Sequence, residues 1–312
     1  MDANDVRIFC EMAFKGIEYE TFTDRRVSPL SIARKLGLDE KTVRVRVSKM
    51  ELEGFIKYYQ AIPSLALLDL AIIYSYRFET VNIATKHRVI EDIRKIPFIV
   101  EAIDYLGQHI SVTIAGTSPE VVEDSVANLA NKFELSRMLL AKRVPKQCTF
   151  RADKLDWQII QKLRYDALAS TKALSESLSL TQRMVDYRIG KLLDSGALMV
   201  RAVIDPQKQK GLIFYELEMA IIESKQFEVV KKLSDIHGEK LWSVRTSATL
   251  GVLLANFFAF SLSEPEEAVV SALGIQGVKS CSLFIFKETI ESDKPNWLDG
   301  LIEEKIASFK SS

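Results

Sequence analysis

Glycine (13) and proline (8) are both scarce in this 312-residue chain, and cysteine is scarcer still, at three. So few backbone breakers argue against a collagen-like or low-complexity chain. Cys10, Cys148 and Cys281 are odd in number and far apart, with no CxxC and no metal-ligand spacing. That speaks against a disulfide framework and for a reducing interior. A surplus of one charge is missing too: 42 Lys+Arg stand against 42 Asp+Glu. A uniformly basic coat for nucleic acid is excluded, whereas a local basic patch is not. The most apolar stretch, residues 251–262, is too short to span a bilayer and contains Asn256. It reads as a buried strand. The opening residues, MDANDVRIFCEMAF, hold acids where a signal peptide needs bases. The expectation is a cytoplasmic protein with no membrane partner. Its length suggests two or more domains.

What is present is a repeat. Shifting the chain by 142 positions lays residues 28–57 on residues 170–199 without a gap. Ile32, Leu36, Leu38, Val43, Val47 and Met50 fall on Leu174, Leu178, Leu180, Val185, Ile189 and Leu192. Arg46 meets Arg188, Lys49 meets Lys191, and Gly54 meets Gly196. Each copy reads as two short helices and a turn. Asp39 and Thr181 stand at the N-cap of the second helix, and Gly54 and Gly196 end it. Val43, Val47 and Met50, like Val185, Ile189 and Leu192, follow helical spacing on one face. A further amphipathic helix precedes each copy (VRIFCEMAF and LDWQIIQKL). A longer polar stretch, residues 16–27, intervenes before the first. The runs FIKYYQAI and LMVRAVID follow as strands, so each unit reads as three helices and a strand pair, a winged helix-turn-helix.

A β-rich segment follows each copy. The first reads as a strand over 67–79, a helix over 83–96, strands over 98–105 and 109–115, a helix over 119–133 and a strand over 138–144. The second reads 213–223, 227–236, 241–246, 251–262, 265–273 and 278–286. The order β-α-β-β-α-β occurs twice, a ferredoxin-like pattern with helices on one sheet face. Residues 295–309 form a last amphipathic helix, expected to dock on the body or on a second subunit.

Leu180, Val185, Arg188, Ile189, Leu192 and Gly196, with Leu155, Asp156, Ile159 and Ile160 before them and Asp205, Pro206 and Gly211 after, resemble the helix-turn-helix of Lrp/AsnC ("feast/famine") regulators. Leu38, Val43, Arg46, Val47, Met50, Gly54, Phe55 and Ile56 resemble it more loosely. The resemblance implies two family units fused in tandem. It also implies an effector-binding and oligomerising sheet module, hence a small-molecule effector, unidentified, and either a homodimer or an intrachain pseudo-dimer. The family's Gly-Asx effector pattern survives only as Gly107 in 105–108 and is not kept in 246–249. The fold class is therefore α+β. Residues 1–62 and 151–208 are winged helices, 63–150 and 209–290 are ferredoxin-like, and 291–312 are the C-terminal helix.

Double-stranded DNA is the expected partner. Nine bases face four acids from Arg25 to Lys57, and ten face six from Lys154 to Lys210. A DNA-facing helix needs cations for phosphates and side chains for base edges. With Val43 and Val47 inward, Lys41, Thr42, Arg44 and Val45 point outward. Arg44 is the best candidate reader, since Arg grips guanine bidentately. Arg183, Met184, Asp186 and Tyr187 are the counterparts, with Asp186 unfavourable near phosphate. Ser28 and Ser170 open the middle helices, whose N-termini suit a phosphate. Lys49, Lys57 and Lys191 complete the set. Arg46 and Arg188 belong to it as well, although each equally suits pairing with an acid on a neighbouring helix.

No metal, cofactor or catalytic motif is apparent. His87, His109 and His237 are isolated, and no P-loop, GxGxxG or GxSxG occurs. Trp157 and Trp242 sit in apolar stripes and read as core. The expectation is a regulator that is not an enzyme, with recognition helices over 40–53 and 182–194. Two alternatives stand beside it. Sirohaem decarboxylases resemble paired Lrp/AsnC units of about this length and need cations for tetrapyrrole carboxylates. The strands QHISVTIAG and LGVLLANFFAF offer only His109. A protein-interaction scaffold with inactive helix-turn-helices is the other.

Overall fold

The computed structural model describes residues 1–12, 16–17, 28–208, 211–247, 251–293 and 295–309. Arg25, Arg26, Lys210 and residues 248–249 lie outside them. The architecture is α+β: two three-helix units and two βαββαβ units. The first unit contains α1 (Ala3–Met12), α2 (Pro29–Leu36) and α3 (Glu40–Leu52), and strand β1 (Gly16–Ile17) falls within it. β2 (Ile56–Pro63) leads to β3 (Ile72–Glu79), α4 (Ile83–Ile93), β4 (Ile99–Tyr105), β5 (His109–Gly116), α5 (Pro119–Phe133) and β6 (Ser136–Arg143). The second unit is α6 (Lys154–Leu163), α7 (Thr171–Leu178) and α8 (Gln182–Asp194). β7 (Leu198–Ile204), β8 (Ile213–Ile221), α9 (Gln226–His237), β9 (Leu241–Ser247), β10 (Val252–Ala259), α10 (Ser263–Leu273), β11 (Val278–Thr289) and α11 (Trp297–Ser308) follow.

Local chemistry sets the helix ends. Asp39 accepts from the backbone N–H groups of Lys41 and Thr42, and Thr181 accepts from that of Met184. Asp153 and Asp156 form a capping box at α6. The turn after the middle helix needs a left-handed residue. Gly37 fills it in one copy (φ 66°) and Ser179 in the other (φ 54°). A Cβ is strained there. Ser179→Gly is therefore expected to stabilise the chain by about 0.5–1 kcal/mol, the relieved strain exceeding the entropy glycine adds to the unfolded state. An unchanged or lower urea midpoint would refute this.

Three expectations need correction. Residues 65–68 form a 3-10 turn closed by left-handed Asp69, so strand β3 starts at Ile72 rather than at 67. Strand β11 runs on to Thr289, because Phe286, Glu288 and Thr289 pair with Tyr105, Asp104 and Ile103 of β4. The two-stranded wing is not built within each unit. Each unit supplies one strand, and β2 pairs antiparallel with β7 from Ile56↔Ile204 to Pro63↔Leu198. The single strand of each unit, eight residues in β2 and seven in β7, has no partner of its own, so the two units share a ribbon.

The β4–β11 pairing fuses the two βαββαβ units into one nine-stranded sheet, ordered β1-β9-β10-β8-β11-β4-β5-β3-β6. Strands β8 and β3 are four places apart, roughly 19 Å in a flat sheet at about 4.8 Å per strand. Yet Arg77 on β3 donates to Glu216 on β8 at 2.5 Å. The sheet therefore folds over and its halves face each other. Helices α4 and α5 cover the outer face of one half, and α9 and α10 that of the other.

Between the halves lies a buried ionic cluster. Arg77 also donates to Glu218 (3.1 Å), and its guanidinium stacks over the rings of Tyr105 (4.3 Å) and Phe284 (3.9 Å). Glu216 accepts from Tyr105 (3.2 Å) and Arg245 (2.8 Å), and Arg245 pairs with Glu101 (3.3 Å). Burial holds the Glu218 carboxyl above its ordinary range, against the pull of Arg77.

The three-helix units pack crosswise. Phe9, Val43, Met50 and Phe55 of the first unit share a core with Phe214 and Phe258 of the second sheet half. Trp157, Val185 and Leu192 of the second unit share one with Leu68, Leu70 and Ala115 of the first half. Helix α11 docks on this body. Leu298 and Ile302 are buried, Arg164 donates to Asp299 (2.9 Å), and Trp297 Nε1 donates to the Ile99 carbonyl (2.9 Å). Among the described residues no helix is long and apolar enough to cross a membrane.

Candidate nucleic-acid interface

Helix α3 turns Val43 and Met50 into the core and leaves Lys41, Thr42, Arg44, Val45 and Lys49 exposed. Arg44 is held by Glu40 one turn before it, Nε at 2.9 Å and Nη2 at 2.5 Å. The pair is exposed, so it contributes only about 0.3–0.5 kcal/mol and yields readily to a better acceptor. Lys49 faces Glu53 at 3.8 Å, and among the described residues the Lys41 side chain has no ion-pair partner. Ser28 caps α2 with extended backbone and an exposed hydroxyl that makes no capping bond. Lys57 lies on the ribbon and binds Glu291 (2.7 Å).

The second unit presents a different face. Arg183, Met184 and Tyr187 are exposed on α8, and Lys191 covers the Tyr187 ring at 4.7 Å. Asp186 accepts from Thr171 Oγ1 (2.6 Å), which holds one acid beside the candidate contacts. Ser170 accepts from the Ala173 N–H (3.2 Å), so its hydroxyl is already engaged.

Arg46 and Arg188 take the same place in the two units, and that place is structural. Arg46 donates to Asp2 (2.8 Å) and Asp5 (2.7 Å) of the first helix region, and Arg188 to Asp153 (2.8 Å) and Asp156 (2.7 Å). Each bolts its recognition helix to the first helix of the unit. The Arg46 hydrogen bond holds the Asp2 carboxyl below its ordinary value of 3.8. At Asp153 burial pushes upward, but the Asp156 N–H and Arg188 outweigh it and the carboxyl also ends low. A depressed carboxylate contributes stability that is complete above its ordinary value and is lost as pH falls toward the folded one. Urea midpoints are thus expected to drop between pH 6 and pH 3, and to drop less in an Arg46→Gln/Arg188→Gln double variant. Equal losses in the two proteins would refute this origin.

Sequence reasoning missed a second locus. A cavity of about 200 Å³ opens between the shared ribbon and the folded sheet, bordered by Tyr58, Arg201, Trp242, Arg245 and Asn256. Trp242 was expected in the core with Trp157. Trp157 is buried there, whereas Trp242 is half-buried and lines the cavity. The only signals were single polar residues inside apolar strands. His109 sits edge-on to Phe284 (5.0 Å), with its pKa lowered by burial. No group of His, Cys, Asp and Glu able to hold a metal occurs among the described residues.

Residues 23–57 match the family model for winged helix-turn-helix DNA-binding domains. No curated protein matches the chain. Among solved structures, the siroheme decarboxylase NirDL is similar over 98% of this chain and 100% of its own, at 14% identity and a TM-score of 0.56. The same enzyme with an iron-uroporphyrin III analogue is similar over 97% and 98%, at 13% identity and 0.54. An AsnC family transcriptional regulator from Agrobacterium tumefaciens aligns over 49% of this chain and 94% of its own, at 16% identity and 0.32. At these identities the likeness is one of fold. It overturns the expectation that the chain is not an enzyme. A decarboxylase uses the fold that spans nearly this whole chain, so missing catalytic motifs do not exclude catalysis.

Proposed function

We propose that the chain is a sequence-specific, double-stranded DNA-binding transcription regulator of the Lrp/AsnC type, made of two such units fused in tandem. The observation that carries this reading is the outer face of α3. There Lys41, Thr42, Arg44 and Lys49 stand exposed on the second helix of a helix-turn-helix whose sequence matches a DNA-binding family. In this reading α3 enters a major groove, Arg44 leaves Glu40 to grip a guanine edge, and Lys41 and Lys49 neutralise phosphates. Ser28 offers its hydroxyl to a phosphate at the start of α2. Helix α8 supplies Arg183, Tyr187 and Lys191, with Asp186 weakening its hold. Arg46 and Arg188 are positioning residues. The two helices differ, so one chain prefers a non-palindromic site.

Selection from a randomised duplex pool at several salt concentrations tests this. The expected result is an enriched asymmetric motif, with log affinity falling linearly in log salt at about 0.9 per phosphate neutralised. Absence of binding at low salt would sink it.

A tetrapyrrole-modifying enzyme is the second reading, favoured by the whole-chain fold likeness to NirDL. Spectral titration with an iron-uroporphyrin, followed by product analysis, separates it from the first.

A further inference from the structure

The cavity beneath the ribbon has features of a built site. Its walls combine aromatic rings with a closed set of charges. Arg164, Arg201 and Arg245 face Glu101, Glu288 and Glu291, three cations against three acids. Each has a protein partner: Arg164 binds Asp299, Arg201 binds Gln60, Arg245 binds Glu101, Glu288 meets Lys287, and Glu291 binds Lys57. Such a wall offers no net cation to a polycarboxylate.

Among the described residues, two polar atoms of uncharged side chains on the wall have no partner. Asn256 is 2% exposed, its Nδ2 donates to Ser243 Oγ (2.8 Å), and its Oδ1 receives nothing. Trp242 Nε1 donates to nothing. Leaving a buried donor and a buried acceptor unmade is costly, and such groups in native proteins have a reason. The backbone also bends to present them. Asn256 pairs with Ser243 but Phe257 pairs with Leu241, so β9 carries one extra residue, Trp242. In a regular strand Trp242 and Ser243 would point to opposite faces; the bulge turns both toward the cavity. Phe9 and Phe214 hold the Trp242 ring, each with centroids at 6.4 Å.

We propose that this cavity binds a small, planar, uncharged heteroaromatic molecule, which gives an acceptor to Trp242 Nε1 and a donor to Asn256 Oδ1, as a nucleobase does along one edge. Its volume of about 200 Å³ lies below the roughly 300–1,000 Å³ of sites for drug-sized ligands. It suits one or two fused rings rather than a macrocycle. Tyr58 lies on the ribbon wall; burial and then Glu291 push its hydroxyl up to about 12, so it stays neutral beside an uncharged guest.

The test uses the full chain without DNA, so its failure is separate from failure of the regulator reading. Adenine, hypoxanthine and uracil are titrated by calorimetry, with uroporphyrin III as the polycarboxylate comparison. At least one base is expected to bind with one-to-one stoichiometry. Asn256→Leu and Trp242→Phe are each expected to weaken it tenfold or more. Thermal midpoints verify folding; if Asn256→Leu does not fold, the conservative Trp242→Phe decides alone. Binding of none of the bases at millimolar concentration, unchanged affinity in the folded variants, or binding of uroporphyrin alone would overturn the proposal.

Discussion

Arg44→Ala is expected to weaken binding to the selected duplex by about 1–3 kcal/mol, roughly 5- to 150-fold, while binding to random duplex falls far less. Two placements set this effect. Arg44 is exposed on the outer face of α3, and its present partner, Glu40, is an exposed neighbour on the same helix. Exchanging that weak pair for a bidentate guanine contact is favourable, and truncation removes only the second. Glu40→Ala supplies the counter-experiment. It removes the competitor and a negative charge near phosphate, so affinity should rise or hold. Competition titrations with specific and scrambled duplexes measure both variants. Equal losses by Arg44→Ala on the two duplexes would reduce Arg44 to a phosphate contact. No loss on either would remove it from the interface.

The largest stability effect is expected at Glu216. Glu216→Ala should destabilise the chain by about 3–5 kcal/mol, the cost of breaking a buried ion pair from one side. Glu216 is 1% exposed and, among the described residues, is the one carboxylate that touches Arg77, Arg245 and Tyr105 together. Its loss leaves Arg77 with Glu218 and Arg245 with Glu101, each a weaker arrangement than before. Glu101, nearly a quarter exposed, is the control: Glu101→Gln should cost about 1 kcal/mol or less. Urea unfolding followed by tryptophan fluorescence reads both. A Glu216→Ala midpoint like that of Glu101→Gln would show that the cluster contributes nothing beyond surface pairing.

Much of this molecule was legible in the sequence, because much of it is local. The 142-residue repeat, the caps Asp39 and Thr181, and the stops Gly54 and Gly196 all act within a few residues of where they stand. Helix α5 starts at Pro119 and ends at Phe133, as periodicity predicts. What escaped was carried by pairs far apart in the chain. No periodicity announces that β2 meets β7 rather than a strand of its own unit, nor that Phe9 packs on Phe214. The ionic cluster was visible only as odd charges inside apolar strands, Arg77 in IIYSYRFE and Glu216 in IFYELEMAI. Neither residue names its partner. At the candidate interface, exposure followed from helical spacing, so the outward set on α3 was readable. The ties of Arg46 to Asp2 and Asp5 were foreseen only as one of two roles, since a helix face does not say which neighbour lies against it.

The shared ribbon makes the two helix-turn-helix units a fixed gauge. In a protein whose DNA-reading units hang on separate linkers, each unit tolerates a change in spacing by swinging. Here the β2–β7 ladder joins them along their length, and each unit is also seated on the opposite half of the sheet. One inserted base pair shifts a half-site by about 3.4 Å and turns it by about 34° around the duplex axis. A rigid reader cannot follow that turn, so the duplex must untwist or one contact must be surrendered. On the regulator reading, spacing between half-sites thus becomes as much a part of the recognised sequence as the bases, written in the hydrogen bonds of the β2–β7 ribbon.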